Sequence, residues 1–66
     1  MEMVRVSSAA IASVGYDAAI RRMKIRFTSG SVYDFCGVPE EIHRALMAAR
    51  SKGTYYNENI KDRYPC

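Results

Sequence analysis

Positions 22–27 read Arg-Met-Lys-Ile-Arg-Phe, three cations alternating with three apolar residues. A period of two puts Met23, Ile25 and Phe27 on one side of a strand and Arg22, Lys24 and Arg26 on the other. The chain therefore builds a sheet with one apolar and one charged face. Thr28-Ser29-Gly30 supplies turn residues, and 31–36 returns as the partner strand.

The register of this hairpin follows from chemistry. A two-residue Ser29-Gly30 loop would set Lys24 against Phe35 and Arg26 against Tyr33, with both aromatics on the charged face. A three-residue loop with Gly30 in the left-handed region pairs Ile25 with Tyr33 and Met23 with Phe35 instead. It also places Lys24 across from Asp34, a favourable cross-strand pair. The second register buries the aromatics and pairs the charges, so it is the one expected. A slip of one residue would invert the whole face.

Upstream, Ala10, Ala12, Val14 and Tyr16 alternate with Ile11, Ser13 and Gly15, which marks a first strand with Gly15 as a candidate bulge or close backbone approach. Asp17-Ala18-Ala19 turns into the second strand, and residues 1–5 are expected to be loose. Downstream, Val38-Pro39-Glu40-Glu41 opens a helix. Proline has no donor to lose there, and two carboxylates suit the positive helix end. Ile42, Ala45, Leu46 and Ala49 form its apolar stripe, with Arg50 near its C-terminus. Ser51 can cap a second helix, in which Tyr56, Ile60 and Tyr64 follow at i+4 spacing until Pro65 ends it.

The expected architecture is α+β: a three-stranded antiparallel meander, then two helices packed on one face. The expected core is Val14, Met23, Ile25, Phe27, Tyr33, Phe35, Val38, Ile42, Leu46, Tyr56 and Ile60. At 66 residues the chain is one domain, 1–66, with stability on the order of 3–10 kcal/mol.

Composition narrows the function classes. No run approaches the roughly 20 apolar residues of a membrane span. Residues 1–11 carry Glu2 and Arg5 and lack the apolar stretch of a secretory signal. Two cysteines are too few for a disulfide framework, and no Cys/His spacing suits zinc. Cys36 in a strand and Cys66 at a fraying end read as reduced thiols of a cytoplasmic protein. No nucleophile has a base at a recognisable spacing, so neither an enzyme nor a cofactor is expected. Ten Lys+Arg against seven Asp+Glu is mildly basic, compatible with nucleic acid.

The order Ser7-Ser8-x-x-Ile11, Val14-Gly15-Tyr16-Asp17, then Phe27-x-Ser29-Gly30-x-x-Tyr33-x-Phe35-x-Gly37-Val38-Pro39, resembles the KTSC domain. So does the closing Ala49-x-Ser51-Lys52-Gly53-x-Tyr55-Tyr56-Asn57-x-x-Ile60-x-x-x-Tyr64, and the resemblance spans about residues 4–65. That family occurs at the C-terminus of some lysyl-tRNA synthetases and as stand-alone short proteins. Its hallmark is an aromatic-x-aromatic strand, usually Tyr-x-Tyr. Here it is Tyr33-Asp34-Phe35, so the second hydroxyl is missing. The resemblance implies no catalytic role and, through the tRNA enzyme, an association with RNA.

Several candidate sites follow. Arg22, Lys24 and Arg26, with Arg21 beside them, can track a phosphate backbone, against a plainer reading as a solvated strand face. Ser51-Lys52-Gly53 at a helix start can hold a phosphate, or serve only as a helix connection. Tyr33 and Phe35 have the spacing of a base-stacking platform, but the expected register turns them inward. Tyr55 and Asn57 flank Tyr56, and Asn57, unfavourable inside a helix, is expected to hold a specific hydrogen bond. His43 is expected on the helix surface. The tentative RNA-binding set is thus Arg22, Lys24, Arg26, Lys52, Tyr55 and Asn57, with Lys61 and Arg63 as further phosphate contacts. The partner would be a tRNA-like RNA. The alternative is a protein-interaction or oligomerisation module using a sheet edge and exposed tyrosines.

Overall fold

The computed structural model describes residues 1–66 and shows four strands followed by two helices. The strands are β1 (Met3–Arg5), β2 (Ile11–Asp17), β3 (Arg22–Phe27) and β4 (Val32–Phe35). They form one antiparallel meander in the order β1-β2-β3-β4. The helices are α1 (Glu40–Ala48) and α2 (Lys52–Asn59).

The α+β class and the order of strands followed by two helices hold, but the sheet has four strands rather than three. The added strand, β1, pairs Met3 with Gly15 and Arg5 with Ser13. It lies in the stretch expected to be loose. Three residues are too few for alternation to show, and the pairing partner, not local propensity, makes it a strand. Gly15 explains part of the fit. A Cβ there would lie 2.7 Å from the Met3 sulfur and 2.9 Å from Met1 Cγ, so the bare backbone lets both methionines lie across it.

The hairpin register is the expected one. Met23 pairs with Phe35, Lys24 with Asp34 and Ile25 with Tyr33. Gly30 has φ +99°, and its N–H donates to the Phe27 carbonyl at 2.9 Å. Lys24 Nζ lies 3.9 Å from the Asp34 carboxylate.

Of the two readings of Gly15, the close approach holds, and the bulge lies elsewhere, at Ala12. Register shifts between Ile11, which faces Phe27, and Ser13, which faces Arg26, leaving Ala12 as the extra residue. This places Ile11 on the same face as Val14, and Ile11 enters the core completely. A strict period of two assigns it to the opposite face.

The core is Ile11, Val14, Met23, Ile25, Phe35, Val38, Leu46 and Ile60. Phe27, Ile42 and Tyr56 pack against it while half-buried. Tyr33, expected in the core, is 54% exposed. It shares a face with Phe35, but β4 is an edge strand and the helices do not reach its hairpin end.

Ser51 caps α2 as expected, accepting from the Thr54 N–H at 3.3 Å and donating to Thr54 Oγ1 at 2.8 Å. Gly53 permits close approach, since a Cβ there would meet the Ala10 methyl at 3.0 Å. Helix α2 stops at Asn59, so Tyr64 is not a third turn of its stripe. A turn with Asp62 at φ +63° redirects the chain, and the Cys36 N–H donates to the Tyr64 carbonyl at 3.0 Å. There Cys36 and Cys66 are joined in a disulfide, with Cα atoms 4.8 Å apart. The two are not free thiols, because the turn after α2 brings residues 30 apart in sequence side by side.

Candidate functional site

Both helices lie on the apolar face of the sheet, and no helix covers the other face. That face is built from alternate residues of every strand. Arg5 of β1 faces Ser13 of β2, which faces Arg26 of β3. The next row runs Met3, Gly15, Lys24, Asp34, and Asp17 pairs with Arg22. Arg22, Lys24 and Arg26 are separated by two residues each, about 6.7 Å of strand. Arg5 is a fourth cation, brought onto this face by the pairing of β1 with β2.

Arg5, Arg22 and Arg26 are exposed and Lys24 is half-buried. Asp17 and Asp34 oppose them, so the face carries an excess of two positive charges. Asp17 is partly occupied, since its carboxylate accepts from the Ala19 N–H at 3.1 Å. Lys24 and Asp34 are each 42% exposed in their side chains, so water weakens their attraction.

The six residues of the expected RNA set do not meet. Lys52 begins α2 on the far side of the sheet, where Nζ donates to the Ala49 carbonyl at 3.0 Å. That bond closes the end of α1 and occupies the ammonium group locally. Tyr55 packs against the core and is half-buried. Asn57 is exposed, and the hydrogen bond expected of it belongs to Asn59, whose Nδ2 donates to the Tyr55 carbonyl at 3.2 Å. Arg22, Lys24 and Arg26 thus stand together, and Lys52, Tyr55 and Asn57 do not join them.

A second feature lies on the helix side. An open groove of about 680 Å³ runs between the β3–β4 hairpin and the segment after α2. Its lining includes Phe27, Tyr33, Tyr56, Lys61, Asp62 and Tyr64. The rings meet edge to face: Phe27 to Tyr33 at 5.6 Å, Phe27 to Tyr56 at 5.0 Å and Phe35 to Tyr56 at 5.9 Å. Burial, and after it the Asp62 carboxylate, push the Tyr56 phenol above its ordinary range. The expected register turns both Tyr33 and Phe35 into the core. Position in the sheet decides that Phe35 seals the core while Tyr33 opens into the groove.

At the other end of the molecule, Tyr16 donates its hydroxyl proton to the Val38 carbonyl at 2.7 Å and stacks on His43 at 4.4 Å. Burial raises the Tyr16 phenol and lowers the His43 imidazole from its usual value. His43 is therefore half-buried against a ring rather than free on the helix surface. This contact locks the start of α1 to β2. No group of three His, Cys, Asp or Glu side chains is placed to share a metal ion, and no helix is long and apolar enough to cross a membrane.

The fold and sequence are matched elsewhere. The crystal structure of a KTSC domain protein from Yersinia pestis superimposes with a TM-score of 0.92 at 38% identity, covering 96% of this chain and 89% of that one. A protein of Tsukamurella paurometabola is 40% identical over 62 residues, 94% of this chain and 92% of its own length. A lysine–tRNA ligase of Nostoc punctiforme is 31% identical over 62 residues, 94% of this chain but 11% of the ligase. The family model described as the KTSC domain matches residues 7–64, and the chain belongs to that family.

Proposed function

We propose that this domain is a small non-catalytic module that binds RNA on the helix-free face of its sheet. The observation that carries the reading is that face itself. Arg5, Arg22, Lys24 and Arg26 stand on adjacent strands with a positive excess and no helix over them. The partial match to a lysine–tRNA ligase supports an RNA partner by association. Lys52, Tyr55 and Asn57 drop out of the site, and Arg5 enters it. Few phosphates can be neutralised by four cations, so affinity is modest and steeply salt-dependent. An RNA partner of this kind places the domain in the cytoplasm, where a Cys36–Cys66 bond exchanges with cellular thiols instead of persisting unchallenged.

The test is a titration of the labelled protein with bulk tRNA at low and moderate salt. Amide shifts should centre on Arg5 and residues 22–26 and fade as salt rises. Replacing Arg22, Lys24 and Arg26 by Ala should weaken binding to all sequences alike. It should also flatten the slope of log K against log salt by about 2, at roughly 0.7 per phosphate contact on a single strand. Equal affinity for the triple variant and the wild type would remove the face from consideration.

The groove favours a second reading, a protein-interaction module. Tyr33 and its neighbouring rings form an exposed aromatic surface beside the free edge of β4, the composition and backbone geometry of a peptide-docking strand. Binding through it would tolerate salt and respond to Tyr33→Ala, not to the arginine substitutions.

A further inference from the structure

We infer that the Cys36–Cys66 disulfide is a redox clasp that closes one wall of the aromatic groove. The bond fixes residues 61–66 along the end of β4. Lys61, Asp62, Tyr64 and Pro65 of that segment line the groove opposite Phe27 and Tyr33.

Little else holds the segment there. The buried core ends at Ile60 and takes no residue from 61–66. Lys61, Asp62, Arg63, Pro65 and Cys66 are exposed, and only Tyr64 packs against the core. The backbone ties beyond Lys61 are the Arg63 N–H to the Ile60 carbonyl at 3.0 Å and the Cys36 N–H to the Tyr64 carbonyl at 3.0 Å. Asp62 sits in the left-handed region at φ +63°, which a non-glycine residue adopts at a cost. The Lys61 N–H also donates to the Tyr56 carbonyl at 2.9 Å, but past that residue two hydrogen bonds, one half-buried ring and one covalent bond hold the segment, and it depends on the covalent one.

The chemistry is thiol–disulfide exchange with a cellular thiol such as a glutathione-type tripeptide. Its thiolate attacks the sulfur of Cys66, which is exposed, while Cys36 is half-buried. The Cys36–Cys66 bond breaks, Cys36 leaves as a thiolate and takes a proton, and a mixed disulfide forms on Cys66. A second thiol displaces Cys66 from it, giving Cys66 as a thiol and the oxidised tripeptide. Two electrons enter the protein, and two equivalents of the reductant are oxidised to one disulfide. Residues 61–66 then leave β4, the Cys36 N–H loses its partner, and Phe27, Tyr33 and Tyr56 form an open platform in place of a walled groove.

The experiment compares amide hydrogen exchange in the labelled protein after equilibration in oxidised and in reduced glutathione, with the Cys36→Ser/Cys66→Ser variant as the permanently open form. In reduced glutathione at millimolar concentration the bond should open. The Cys36 and Arg63 amides should then exchange at least tenfold faster, while the β2–β3 ladder keeps its protection. The variant should show that pattern under both conditions. Three results overturn the proposal. Unchanged Cys36 protection after reduction would mean the segment is held without the bond. Joint loss of protection at Cys36 and in the β2–β3 ladder would make the disulfide a staple of the whole fold. Persistence of the bond in reduced glutathione would make it inert.

Discussion

The two faces of the sheet are made by the same strands and obey different rules. On the helix side, Ile11, Val14, Met23 and Ile25 have essentially no exposed surface, and Val38, Leu46 and Ile60 close over them. On the other side, Ser13 and Gly15 are also buried, but the flexible chains of Met1 and Met3 cover Gly15, and no helix does. Along β3 the two regimes alternate residue by residue. The difference is one of stability: one face holds the domain together, and the exposed charges of the other can change with little effect on folding.

The sharpest way to break that comparison is to shorten a residue on each side of β3. Ile25→Ala should cost about 2–5 kcal/mol, from lost burial and the cavity left behind. Against about 3–10 kcal/mol for a chain of this size, that removes a fifth of the stability or more. Arg26→Ala, one residue away, should stay within about 0.5 kcal/mol. Urea denaturation of both variants measures the contrast, and equal losses would mean that the faces are not distinct.

A smaller effect tests how α1 is fastened to the sheet. Tyr16→Phe keeps the ring and its stack on His43 but leaves the Val38 carbonyl without its donor. The expected loss is about 1 kcal/mol, within the range for one hydrogen bond. A neutral result in the same urea measurement would show that water replaces the hydroxyl at no cost.

Much of the helix-side face could be read from the residues, and the reasons for the misses are physical. The β3–β4 register followed from pairing Lys24 with Asp34 and from Gly30 in the left-handed region, both local features. Ser51 capped its helix for the same reason. A period of two puts Ile11 on the wrong face because the bulge at Ala12 breaks it, and Ala carries no signal for a bulge. Alternation puts Tyr33 on the core face but does not report how far the helices extend over that face, and Tyr33 stays exposed. The cysteine pairing and the position of Tyr64 depend on where α2 stops, at Asn59, a point the i+4 spacing of Tyr56, Ile60 and Tyr64 argued against. The RNA set failed to assemble for a related reason. Arg22, Lys24 and Arg26 share a face by periodicity, whereas Lys52, Tyr55 and Asn57 were joined to them only by residue type.

Titration of His43 should register as a modest dependence of stability on pH. Burial lowers its imidazole from the usual 6.5, Glu40 draws it partly back, and Arg44 adds to the lowering. The unfolded chain therefore binds the proton first as pH falls. Stability should decline from about pH 6.5 down to the lowered value in the folded state, and level off below it. His43→Gln should flatten that part of the curve in urea titrations at pH 7.5 and 5.5. An unchanged slope would move the dependence to the carboxylates.

A small stability effect is expected where the two faces differ most in consequence. Lys24 and Asp34 are 3.9 Å apart and 42% exposed, so Asp34→Asn should change stability by less than about 1 kcal/mol. The same substitution removes a negative charge from the cationic face and frees Lys24 to meet a phosphate. If RNA binds there, Asp34→Asn should tighten binding to bulk tRNA and steepen its salt dependence by up to one contact, about 0.7 in the log–log slope. If the domain works through the aromatic groove, the substitution should leave tRNA binding as it was. A gain in affinity from a substitution that leaves folding unchanged is something a solvated, idle strand face would not produce.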